Sequence, residues 1–221
     1  MPISSFASIA ARANDNKNGA LEALLADSPP AQDISALTDD RILSEFSKRV
    51  FQAGFNWSVV ENKWQGFEAA FHQFDLGRNA MMNDEDLDRH LKNTDIIRHA
   101  TKILSVRDNA IFLSDLAHTH GSAARCIADW PSEDLVGLWQ MMKARGARLG
   151  GVTGQYALRF MGKDTFILSS DVVHALTSAG VIDGPATSKR AQAKIQAAFN
   201  QWAQESGQSL TRISRTLAFS V

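Results

Sequence analysis

Apolar residues recur along this chain at three- and four-residue spacing, and convincing alternation of apolar and polar positions is absent. That pattern marks amphipathic helices rather than strands. The first stretch runs from Asn18 to Ala26 with Leu21, Leu24 and Leu25, and Ser28-Pro29-Pro30 is expected to end it, because proline breaks a helix. Thr38-Asp39-Asp40 offers an N-cap for a long helix bearing Ile42, Phe46, Val50 and Ala53. A helix is predicted from Asn62 to Gln73, its apolar stripe being Trp64, Phe67, Phe71 and Phe74. Others run from an Asn83–Asp86 cap towards Leu91, from Ile96 to Leu116, and from Pro131 through Leu135, Leu138, Trp139 and Met142. Gly150 to Gly154 is a glycine-rich break, followed by helices from Gln155 to Gly162, Asp171 to Ser178 and Ser188 to Ser206. The fold class is all-α, with most of these aromatic residues in the core.

Composition adds bounds. The 221 residues suffice for one large domain or two closely packed lobes, and 44% hydrophobic with 21% charged residues is ordinary for a soluble protein. No apolar run is long enough for a bilayer, and Met1-Pro2-Ile3-Ser4-Ser5 does not open a signal peptide, so a cytoplasmic protein with no membrane association is expected. The single cysteine, Cys126, excludes an internal disulfide and a multi-cysteine metal site, and reads as a small buried hydrophobe. The six histidines (His72, His90, His99, His118, His120 and His174) are scattered and read as surface or capping residues. No metal and no cofactor are expected.

The net charge of −1 conceals an asymmetry: from Met141 onwards the chain has ten Lys/Arg and four Asp/Glu, against thirteen and twenty before it. A positive C-terminal third could meet nucleic-acid phosphates, or be ordinary unevenness. The stretch from Lys143 to Ala179 is more specific. A basic helix with Lys143, Arg145 and Arg148 turns through Leu149-Gly150-Gly151-Val152-Thr153-Gly154 and re-enters a helix at Gln155. Such a hairpin exposes backbone N–H groups at a helix start, where glycines let phosphate approach. Gly150, Gly151, Val152, Thr153, Gly154, Gln155, Lys143 and Arg148 are the candidate DNA contacts. By itself, a glycine turn between helices is weak evidence.

This stretch resembles the helix-hairpin-helix DNA glycosylase superfamily: Leu149 matches the hairpin leucine, Ala157 the alanine of the next helix, and Asp171 the catalytic aspartate. The run Lys163-Asp164-Thr165-Phe166-Ile167-Leu168-Ser169-Ser170-Asp171 is similar to that of 3-methyladenine DNA glycosylase II. Thr153 departs from the pattern where a second glycine is usual, with Gly154 one place later. The resemblance implies a carboxylate that stabilises oxocarbenium character on the sugar and orients water. By residue type alone, Asp171 reads first as the N-cap of the helix that follows, Val172 to Ser178, and the two roles are compatible. Gln155 stands where strand-cutting members carry a lysine, which implies base release without strand cleavage.

Residues 51 to 110 are similar to 3-methyladenine DNA glycosylase I, through Gln52-Ala53-Gly54-Phe55-Asn56-Trp57, Ala70-Phe71-His72-Gln73-Phe74-Asp75, Ile96-Ile97-Arg98-His99, Lys102-Ile103 and Asn109-Ala110. That resemblance implies an all-α fold of two helical lobes with the active site in the cleft between them. Residues 1–37 would be an N-terminal extension and 38–221 the domain, its hairpin at about 143–160. Trp57 matches the stacking aromatic of the pocket, with Phe55, Tyr156 and Gln52 as possible partners; each could instead be structural. Arg49 occupies the place of the family's base-reading glutamate, and Glu45, one turn earlier, could substitute. The family's zinc-binding cysteines and histidines have no counterpart. The expected activity is hydrolysis of the N-glycosidic bond of alkylated purines such as 3-methyladenine in double-stranded DNA, by a monomer. The alternatives are a helix-hairpin-helix DNA-binding protein and a glycosylase with a different damaged-base substrate.

Overall fold

The computed structural model describes residues 3–26 and 33–221, all helical or irregular with no strand among them. The proline pair expected to end the first helix lies outside these residues. The chain divides into two compact units. Residues 3–26, within the segment read as an N-terminal extension, belong to one of them. No helix among the described residues is long and apolar enough to cross a membrane.

One unit comprises residues 33–130 and 139–161. It holds α3 (Asp39–Gln52), α4 (Trp57–Asn62), α5 (Trp64–Ala70), α6 (Leu76–Ala80), α7 (Asp84–Lys92), α8 (Ala100–His120), α9 (Ala123–Ala128), most of α10 (Leu135–Arg145), and α11 (Val152–Phe160). Helix α8 is its axis, with α3, α6, α7 and α9 packed against it. Ile42, Leu43, Phe46 and Val50 of α3 and Ile103, Val106 and Leu113 of α8 are buried at the centre. The predicted caps hold in part. Asn83 and Asp86 form a reciprocal capping box, while Thr38 occupies the N-cap of α3 without a side-chain bond to the helix amides. Asp39 instead accepts the Ala124 amide at 3.1 Å, tying the start of α3 to α9.

The helix expected from Asn62 to Gln73 is two short helices and a left-handed turn. Lys63 interrupts it at φ −98°, ψ 0°, and His72, Gln73 and Phe74 adopt φ of +54°, +56° and +58°. Three successive L-residues in that region cost roughly 1–2 kcal/mol each, so the surroundings must hold them. Phe71 and Phe74 are fully buried and stack with centroids 5.7 Å apart. Arg41 donates to the Gln73 carbonyl at 2.6 Å while gripping Glu68 through bonds of 2.9 and 3.1 Å. Asn79 donates to the carbonyls of Phe71 and Asp75, each at 2.7 Å. His90 is not at the surface: it is buried and stacked on Phe71 at 4.5 Å, and burial, with Arg89 nearby, lowers its pKa.

The other unit comprises residues 3–26, 131–138 and 162–221. It contains α1 (Phe6–Asn16), α2 (Leu21–Ala26), the start of α10, α12 (Ser170–Ser178), α13 (Lys189–Ser206) and α14 (Leu210–Phe219). Helix α14 is its hub, contacting α1, α2, α12 and α13. Trp202 is fully buried and donates its indole N–H to the Ser4 carbonyl at 3.0 Å; Ser4 in turn donates to the Ala179 carbonyl at 3.0 Å. The stack of Phe166 on Phe199, 4.0 Å between centroids, fills the centre. Helices α1, α9 and α14 escaped the sequence reading although serines cap all three: Ser5, Ser122 and Ser209 accept amides three residues on.

Candidate functional site

The hairpin is built first by its backbone. Helix α10 ends at Arg145, and the chain turns through Arg148 at φ +61° and Gly151 at φ +61°, ψ −147°. Helix α11 starts at Val152 rather than at Gln155, so Val152, Thr153 and Gly154 form its first turn instead of a break. Gly151, its N-cap, has no side chain to bond the first amides, which leaves the helix start available to an anion. Gly154 is required by packing: a Cβ there would lie 2.3 Å from the Leu149 carbonyl oxygen, and Leu149 is itself buried. Asn109 of α8 locks the turn, donating to the Ala147 carbonyl at 3.1 Å and accepting the Ala147 amide at 2.8 Å. Lys143 and Arg148 are exposed, and Gln155 is buried. Arg148, Gly150 and Thr153, with Val50 of α3 and its C-cap Ala53, line a cavity of about 330 Å³.

A second constellation in the same unit joins the end of α3 to α4 and α11. Trp57 opens α4, where Asn56 caps the helix through the Ser58 amide at 3.0 Å. Its indole meets Tyr156 edge-on at 5.5 Å and Phe160 at 6.0 Å. Trp57 is 41% exposed and Phe160 39%, so neither is a core residue. Large rings left open together on one surface mark an interaction site. Phe160 was missed, although it lies one turn after Tyr156.

Arg49 is 6% exposed and lies against these rings, its Cζ 3.9 Å from the Phe160 centroid and 5.4 Å from that of Trp57. Its Nε is paired with Glu45, and its Nη1 donates to Gln52 Oε1 at 2.6 Å. The Gln52 amide donates to Glu61 at 2.9 Å, and the other Glu61 oxygen pairs with Lys48 at 3.0 Å. Positive and negative groups alternate along this chain. Burial raises the pKa of Glu45, while the adjoining Arg49 opposes the rise. Gln52 is thus oriented by two charged neighbours at the end of the helix.

Phe55, 42% exposed, makes no ring contact with the Trp57 group; its neighbour is Lys102, with Nζ 4.4 Å from its ring centroid. Lys102 was matched in the sequence without a role. It is buried, and its ammonium donates to the carbonyls of Phe51 at 3.1 Å and Ala53 at 2.6 Å, closing the C-terminal end of α3. Burial, with Arg148 nearby, lowers its pKa to about 8.

Asp171 belongs to the other unit. It is not the N-cap of α12: the helix begins at Ser170, and Ser169 accepts the Val172 amide at 3.3 Å. The Asp171 carboxylate is exposed in the first turn, with the Ser170 hydroxyl 3.4 Å away. Its competing role as a cap is thereby removed. Cys126 is half-buried rather than buried, and partial burial raises its pKa, away from a reactive thiolate.

These elements define an all-helical protein with a glycine-turn hairpin beside a ring-lined site. The profile of the methyladenine glycosylase family matches residues 35–157, more than half of the sequence, and the chain belongs to that family. Over 59 residues it is 42% identical to DNA-3-methyladenine glycosylase 1 of Escherichia coli (strain K12), a match covering 27% of this chain and 32% of that protein. The chain thus spans about a third of the length of that curated relative. A crystal structure of 3-methyladenine DNA glycosylase I superposes with a TM-score of 0.51 at 27% identity, covering 62% of this chain and 82% of the other. A Staphylococcus aureus structure, described as giving the basis of 3-methyladenine recognition by that enzyme, matches the fold with a TM-score of 0.52 at 20% identity, over 57% and 77% of the two chains. The zinc implied by the resemblance to glycosylase I does not fit here. There is one cysteine, and among the described residues no group of three or more His, Cys, Asp or Glu could hold a metal ion.

Proposed function

We propose that the protein is a monofunctional DNA glycosylase that hydrolyses the N-glycosidic bond of a damaged purine in double-stranded DNA, with alkylated purines as its substrate class. The observation that carries this reading is the trio of partly exposed rings Trp57, Tyr156 and Phe160, with the buried Arg49 against Trp57 and Phe160, in the same unit as the hairpin. A base turned out of the helix needs an aromatic wall and a polar group to read its edge. The uncapped start of α11, with Lys143 and Arg148, is suited to hold the phosphates without regard to sequence. Family membership supports the same reaction.

In that reaction water adds its oxygen to C1′ of the deoxyribose as the C1′–N bond breaks, and the bonding electrons leave with the base. Asp171, exposed in the first turn of α12, is the candidate to stabilise the positive sugar and to take the proton from water. Gln155, which cannot form a Schiff base, supports base release without strand cleavage. A monomer acting in the cytoplasm completes the reading.

The test is base release from duplexes carrying charged alkylpurines, made by methylation, or the uncharged 1,N6-ethenoadenine. Free base is expected from at least one of these duplexes, with strand breaks only after alkali. Asp171→Asn should lower release at least about a hundredfold while duplex binding stays within about twofold. Release of no base by a folded, DNA-binding sample would sink the glycosylase reading. Full activity of Asp171→Asn would remove that residue from the chemistry.

A further inference from the structure

We infer that Arg49 selects the base: the ring-lined site accepts an uncharged purine that offers hydrogen-bond acceptors to its guanidinium, and disfavours a purine with a fixed positive charge. The inference rests on the glycosylase reading for the origin of the base, but the geometry that carries it belongs to the folded protein alone.

Three observations converge. The guanidinium is held in place, 6% exposed, by Glu45 at Nε and by Gln52 at Nη1. It lies against the same rings that would stack a base, 3.9 Å from the Phe160 centroid and 5.4 Å from that of Trp57. The attraction of these π faces for a cation is therefore already engaged by the protein's own cation, and a second positive charge among the same rings meets repulsion. Finally, Nη2 donates to no group among the described residues, whereas Nε and one N–H of Nη1 are engaged. Guanidinium has donors and no acceptor, so the free part of Arg49 can read only a carbonyl oxygen or an unprotonated ring nitrogen. Glu45, the carboxylate nearest to it, is engaged in the ion pair. Uncharged purines with such edges arise from deamination, as in hypoxanthine, or from bridging alkylation, as in 1,N6-ethenoadenine.

Binding to the full chain, followed by tryptophan fluorescence and checked by calorimetry, separates these cases with three probes: hypoxanthine, 1,N6-ethenoadenine and the cationic 3,9-dimethyladeninium. At least one neutral base should bind about tenfold or more tightly than the cation, and which one does identifies the source. Arg49→Gln should shrink that ratio about tenfold, and Arg49→Lys should keep the rejection of the cation while weakening the neutral base. Equal or tighter binding of the cation overturns the inference and makes Glu45 the reader. Binding of no probe, or an unchanged ratio in a folded Arg49→Gln protein, overturns it as well. Should either variant fail to fold, the wild-type ratio still decides. Selective binding without release from duplex DNA would instead sink the glycosylase reading and leave this one standing.

Discussion

In the turn between α10 and α11 the chain is shaped by main chain and by missing side chains: Gly151 in a conformation open to glycine, Gly154 against the Leu149 carbonyl, and one asparagine bonded twice to Ala147. At the end of α3 the materials are reversed. Glu45, Arg49, Gln52, Glu61 and Lys48 bond side chain to side chain, and three rings from α4 and α11 lie beside them. A site made of backbone suits a partner that presents the same phosphate at every step. One made of long side chains can be rewritten by a single substitution, and on the proposed function it is there that a base would be told from its neighbours. On that proposal, grip and choice are separable within one unit.

The hairpin side of this contrast is most strongly challenged by Gly154→Ala. The new Cβ collides with a backbone oxygen beside a buried residue, so a loss of about 3 kcal/mol is expected in urea unfolding, with weaker duplex binding. Tolerance within about 0.5 kcal/mol would show that the turn is not held by that close approach. The side-chain site should respond in the opposite way. Trp57→Ala should cost about 1 kcal/mol or less in stability, because so much of the ring is exposed, yet reduce base release at least about tenfold through lost stacking. Parallel loss of both would return Trp57 to the core. The smallest effect belongs to Lys102, between the two regions. With its folded pKa lowered to about 8 from 10.5, it binds fewer protons than the unfolded chain across that interval. Its charge therefore opposes folding below pH 8, and the opposition is relieved as pH rises towards 10.5. Urea midpoints at pH 7.5 and 9.5 should reveal a gain that Lys102→Met lacks; equal slopes in both proteins would refute it.

The same contrast explains what could be read in advance. The all-helical class followed from apolar spacing, and the hairpin from glycines whose absence of Cβ is itself the structural requirement. Its helix began three residues early because Val152 and Thr153 continue the turn without any distinctive residue type. Arg49 and Trp57 were singled out by position, but that a guanidinium would lie on Phe160, more than a hundred residues away, depends on tertiary packing. The Ser169 cap was hidden by neighbours equally able to cap, Ser170 and Asp171. His90 was illegible because a lone histidine in a polar helix gives no sign of the phenylalanine it will stack on.

The left-handed turn at His72, Gln73 and Phe74 bears on the order in which this unit is assembled. Nothing in three ordinary L-residues favours that shape locally; it is imposed by Arg41, thirty-two positions earlier, and by Asn79 after it. The turn can therefore become stable only once α3 has reached its place, and it acts as a latch that closes on a structure already assembled. It also makes the folding of distant segments interdependent: loosening Arg41 should release the turn, uncover Phe74 and be felt along the whole of α3.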